Sequence, residues 1–178
     1  VTIDLGDGVT IELEPGETLS ATARGIKEEA LVGLRALNEV ASPDYRKDIE
    51  KAIKDLEKSL DAEGWLDSSH LVCEHGNNVF NKEKKAVDRL MDIHEDALEE
   101  GDQTTADEVL SLMGQIVAAD RILAETAFSE ATDEKDRDKA QKYLDSALVA
   151  RTEERFDDAI HQLRKAWDAS TDVLCDDG

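Results

Sequence analysis

Long apolar runs are missing from this chain: no stretch approaches the roughly 20 residues that cross a bilayer as a helix, which argues against membrane insertion. Cysteine is nearly missing too. Cys73 and Cys175 are too few for a disulfide-rich scaffold, yet an even pair suits one bridge in an oxidising compartment. Positive charge is short: 21 basic residues face 43 acidic ones, and a formal net charge of -22 repels phosphate backbones and anionic lipid. Nucleic acid and membrane surfaces are therefore poor partners. The catalytic vocabulary is missing as well, with no glycine-rich phosphate loop, no Gly-x-Ser-x-Gly elbow and no dinucleotide fingerprint after a strand. His94-Glu95 opens like a zinc-protease helix, but the second histidine would fall at position 98, which is Leu98. Asp133, Glu134, Asp136 and Asp138 lack the central glycine of a calcium loop and sit where a helix should start, so they are read as complementing its dipole.

What is present is helical periodicity. The acids alternate with apolar residues at helical spacing, so most of them form a solvated face on a folded domain. A surface this acidic also fits a halophilic setting, where salt screens self-repulsion. At 178 residues the chain suits one domain. It begins at Val1, without an initiator methionine or signal peptide, and is read as a processed form or an excised piece. The expected fold is mainly α: an antiparallel bundle of about six helices over residues 17–174, preceded by a short β-hairpin over residues 1–14. In that hairpin Val1, Ile3 and Leu5 alternate before the Gly6-Asp7-Gly8 turn, and Val9, Ile11 and Leu13 alternate after it. Two strands alone are marginal in water, so these six residues should pack on the helices, pair with another chain, or form the end of a preceding β-module.

A first helix should carry Leu19, Ala23, Ile26, Ala30, Leu34 and Leu37 on one face; Ser42-Pro43 should start a second, with Tyr45, Ile49, Ile53, Leu56 and Leu60 inward. A third should restart at Asn81, extend an apolar side through Phe80, Val87, Leu90, Met91, His94 and Leu98, and end at Gly101. Thr105 and Glu108 make a capping box for a fourth helix, so apolar that it should be central. A fifth should begin near Thr132 and Asp133 and bury Ala140, Tyr143, Leu144, Ala147 and Leu148. After a break at residues 151–154, a sixth carries Phe156, Ile160, Leu163, Trp167 and Leu174, and the last two form a close hairpin through Ala147, Ala159 and Ala166.

The least generic stretch is Trp65 to Val87, which interrupts the helices with an aromatic, two histidines, a cysteine and a glycine. His70, Cys73 and His75 could hold zinc or copper if a turn converges them, with Asp67 and Glu74 nearby. The opposing reading is a structural corner whose histidines bond backbone groups and whose cysteine is buried or bridged. A Cys73–Cys175 bridge would close a loop of roughly a hundred residues, adding up to about 4 to 5 kcal/mol in the chain-entropy model. His94, His161, Trp65 and Trp167 are read as core or boundary residues.

The corner and its flanks resemble a helical domain found toward the C-termini of large secreted archaeal and bacterial surface proteins, often after immunoglobulin-like or PKD-like modules. The likeness covers about residues 45 to 170. It rests on Ala52-Ile53, Lys58-Ser59-Leu60, Trp65-Leu66-Asp67, His70-Leu71, His75-Gly76, Val79-Phe80, Glu83-Lys84-Lys85-Ala86-Val87, Asp120-Arg121, Leu123-Ala124, Ala159-Ile160 and Lys165-Ala166-Trp167. The sequence departs where that family places Asp-Pro-Lys before the second histidine and this chain has Val72-Cys73-Glu74, so no role for Cys73 can be borrowed from it. The resemblance implies an extracytoplasmic, non-catalytic architectural domain; together with the absent catalytic set and the edge-forming hairpin it leads to the expectation of an extracellular or cell-surface module that joins protein subunits, a homo-oligomer among them. The alternatives are a metal-binding module built on His70, Cys73 and His75, and an intracellular helical adaptor with reduced cysteines and an apolar groove.

Overall fold

The computed structural model describes residues 22–171 in full and only the backbone over 172–175; the hairpin expected over residues 1–14 lies outside the fully described residues. The body is mainly helical, with six helices: α1 (Ala23–Val40), α2 (Pro43–Ser59), α3 (Cys73–Glu100), α4 (Gln103–Glu130), α5 (Glu134–Thr152) and α6 (Phe156–Cys175). A single 3-10 turn, Ala62–Gly64, lies between α2 and α3.

Local chemistry sets most of the boundaries. Thr22 Oγ1 accepts from the Gly25 amide at 3.2 Å, and Ser42 caps α2 with Pro43 in its first turn. Gly101 ends α3 at φ 78°, in the left-handed region where only glycine is unstrained. Asp102 then caps α4, accepting from the Thr105 amide at 3.1 Å and the Thr105 hydroxyl at 2.7 Å. The helix therefore starts before the expected Thr105–Glu108 box: an aspartate directly after the glycine is the better-placed acceptor. Asp133 caps α5 by accepting from the amides of Lys135 and Asp136.

Contacts between helices run in opposite directions along the two members of each pair. On α2 and α3 Tyr45 meets Glu100 and Asp55 meets Arg89; on α3 and α6 Asn77 meets Asp168 and Lys84 meets Asp157. Both pairs are antiparallel. Three helices meet at Lys27 of α1, Glu83 of α3 and Asp120 of α4. α4 is central, as its apolar breadth required: Val109, Leu112, Met113, Ile116, Val117 and Leu123 are buried against α1, α3 and α6.

Two expectations are corrected. α3 begins at Cys73, eight residues before Asn81, so His75 and Gly76 lie inside its first turn. Gly76 is costly for a helix, but a Cβ there would lie 2.2 Å from the Trp167 ring, and the close approach of α3 to α6 requires its absence. Leu98 and Leu148 are exposed rather than inward, 47% and 43%, because Ile93 and Ala147 occupy the facing positions.

Candidate functional site

The corner expected between the second and third helices is an ordered cover over one end of the bundle. Asp67 accepts from the amides of Ser69 and His70 at 2.7 and 2.9 Å, a side-chain turn that reverses the chain. Leu66 donates its amide to the His70 carbonyl, Trp65 and Leu71 form a β-bridge, and Val72 donates to the Gly64 carbonyl. Arg24 anchors the corner to α1: its amide donates to the Ser68 carbonyl and its guanidinium donates to the Leu60 carbonyl. Trp65 is buried, with its indole N–H donating to the Ser59 carbonyl at 2.8 Å. Its ring lies between the Arg24 guanidinium, 5.6 Å away, and the Lys27 ammonium, 5.1 Å away.

Beneath that ring is a cluster that composition and periodicity did not announce. Lys27, Glu83 and Asp120 are each fully buried, and Lys27 Nζ stands 2.7 Å from both Glu83 Oε1 and Asp120 Oδ1. The Phe80 ring closes another side, its centre 5.8 Å from Nζ. Charge holds the group, and the holding is incomplete: Nζ and all four carboxylate oxygens lack a partner with hydrogen-bond geometry. Burial opposes the ammonium, but the Asp120 and Glu83 charges outweigh it and hold Lys27 above the ordinary lysine range. Burial, then the Asp120 charge, pushes Glu83 well above the carboxylate range against the pull of Lys27. The cluster therefore sets two carboxyl groups against one lysine nitrogen, closed off from solvent.

A signal for it did exist in the sequence. Lys27 follows Ile26 on the face that buries Ala23, Ala30 and Leu34; Glu83 falls between Phe80 and Val87; and Asp120 interrupts the most apolar helix. A charge in the middle of an apolar stripe is the pattern, hidden in a chain whose 43 acidic residues mostly suit a solvated face.

The residues proposed for a metal are placed apart in role. His70 already has both ring nitrogens occupied, Nδ1 by Asp67 at 2.8 Å and Nε2 by Glu130 at 3.0 Å. Glu130 first and Asp67 second raise its pKa above the ordinary histidine value. Cys73 is disulfide-bonded. His75 is exposed on the first turn of α3. Among the described residues no group of three or more His, Cys, Asp and Glu is arranged to hold a metal ion. His94 Nδ1 donates to the Ala106 carbonyl at 3.0 Å, as a boundary histidine should.

The sequence holds one other cysteine, Cys175, at the last residue of α6. Antiparallel register from Asn77 with Asp168 brings the end of the α6 backbone toward the start of α3, where Cys73 stands. Among the described residues no helix is long and apolar enough to cross a membrane. No family model, curated protein or solved structure matches the chain.

Proposed function

We propose that this chain is an extracellular or cell-surface structural module that mediates protein–protein contacts and carries no catalysis. The observation that supports it best is the disulfide at Cys73, since such bonds persist in oxidising compartments and are rare where glutathione keeps thiols reduced. Pairing Cys73 with Cys175 would tie the corner to the last helix and close most of the bundle into one covalent loop. The acidic surface supports the same setting and a preference for salt. Trp65 and Gly76, from the least generic stretch of the sequence, serve internal contacts, which suits a body whose task is to keep its shape. Residues 1–14 are the assembly element in this reading: Ile3, Leu5, Val9 and Ile11 would add a strand to a neighbouring module or to a second copy.

Alkylation of denatured protein taken from fractionated source cells tests the reading. The expected result is recovery outside the cytoplasm with neither cysteine reactive until reduction; a cytoplasmic protein with two free thiols would overturn it and favour the adaptor. Deleting residues 1–14 should abolish assembly while leaving the helical signal intact. The zinc or copper alternative at His70, Cys73 and His75 requires reduction of the Cys73 bond first, and elemental analysis before and after reduction separates the two.

A further inference from the structure

The buried cluster of Lys27, Glu83 and Asp120 has the parts of a reaction centre with no opening for an outside substrate. An amine nitrogen is held against a carboxylate oxygen at 2.7 Å, a second carboxyl touches the same nitrogen at 2.7 Å, and aromatic rings replace water on two sides. Reactive groups fixed at contact distance gain the advantage of an intramolecular reaction, and a dry surrounding removes the water that would otherwise favour the ions over an amide.

We propose that Lys27 and Asp120 condense within the folded chain to form an amide between Lys27 Nζ and Asp120 Cγ, with Glu83 as the proton shuttle and water as the only product released. The step balances without an oxidant or co-reactant. Lys27 first gives one ammonium proton to the Asp120 carboxylate across their 2.7 Å contact, leaving a neutral amine and a neutral acid. The amine lone pair attacks Cγ while Glu83 donates its proton to the carbonyl oxygen and accepts one from the nitrogen. The tetrahedral centre then collapses: the bond from Cγ to one hydroxyl breaks, Glu83 protonates the departing oxygen, and the proton of the remaining hydroxyl, which becomes the amide carbonyl, restores the Glu83 carboxyl. The ammonium and carboxylate are consumed, and water leaves.

Two features choose Asp120 as the partner that is joined and Glu83 as the shuttle. Glu83 touches the same nitrogen at 2.7 Å, and burial followed by the neighbouring Asp120 charge raises its pKa, the direction a proton donor to the leaving oxygen needs. Asp120, with one fewer rotatable bond, is the more rigidly presented on the central helix α4. The product would also remove the cluster's chief cost, two buried charges whose atoms lack aligned partners. A bond here joins α1 to α4 across most of the chain, independently of the disulfide at Cys73 and of where the protein resides.

Intact mass of the full chain, denatured and fully reduced, tests this directly. The expected mass is below the sequence sum by one water, and peptide mapping should recover one joined species containing Lys27 and Asp120. A mass equal to the sequence sum, or a joined species containing Lys27 and Glu83, would overturn the proposal. Glu83→Gln should restore the full mass; a Glu83→Gln chain that still loses water would refute the shuttle. An unfolded variant would also keep full mass, so the wild-type peptide map carries the bond itself.

Discussion

The two ends of this bundle are held by different means. Where α1, α3 and α4 meet, buried charge specifies the packing: Lys27 fits only between Glu83 and Asp120, under Trp65. At the outer edge, α5 buries little more than Ala140, Ala147 and Ala150, with Tyr143 and Leu144 half-buried, and lies on α6 through small residues at Ala159 and Ala166. The first region tolerates few alternatives, because each charged group left alone is costly. The second relies on close backbone approach and gains little per residue. Uniqueness of fold therefore comes from the charged end, and the α5 edge is the place where the structure should open first.

The largest break in this comparison should come from Lys27→Met. Removing the cation strands Glu83 and Asp120 in the core, and loss of one member of a buried ion group costs about 3–5 kcal/mol, read as a lowered urea midpoint. An unchanged midpoint would mean the cluster does not hold the helices. Gly76→Ala should follow. Its Cβ would fall 2.2 Å from Trp167, and overpacking of this kind costs about 1–3 kcal/mol in thermal or urea unfolding. Tyr45→Phe removes a 2.6 Å hydrogen bond to Glu100 at the far end of α2 and α3, with an expected loss of about 1 kcal/mol.

His70 gives a smaller, pH-dependent effect. Its folded pKa is raised above the ordinary 6.5 by Glu130 and Asp67, so its contribution is complete below about pH 6.5 and is lost as pH rises through the higher folded value. The ring is over a third exposed, which screens the gain. Stability measured across this window should fall with rising pH in the wild type and fall less in His70→Gln. Leu148→Ser on the exposed side of α5 should change stability by less than about 0.5 kcal/mol.

Much of the scaffold was legible because it follows local rules. Ser42-Pro43, Gly101 and Asp133 mark their helix ends by capping chemistry that acts within four residues, and the apolar face of Tyr45, Ile49 and Leu56 is buried where its period placed it. The start of α3 was not legible, because Gly76 is tolerated there only on account of Trp167, ninety-one residues away in sequence. Leu148 was misplaced for a related reason: α5 has a broad apolar pattern but only one narrow seam of contact, which its alanines fill. The corner was recognisable as unusual, yet its histidine chemistry was not, since Glu130 reaches His70 from another helix. The charged cluster is the sharpest case. Each member interrupts an apolar stripe of its own helix, but that the three meet is set only when the helices pack and bring them within 2.7 Å contacts.

Hydrogen exchange resolved along the chain is the most direct test of the claim that buried charge, not the outer hairpin, secures the fold. Amides of α1, α3 and α4 flanking Lys27, Glu83 and Asp120 should be the last to exchange, limited by global unfolding, with α5 exchanging earlier through local opening. Protection of α5 equal to or greater than that of the three charged helices would contradict it.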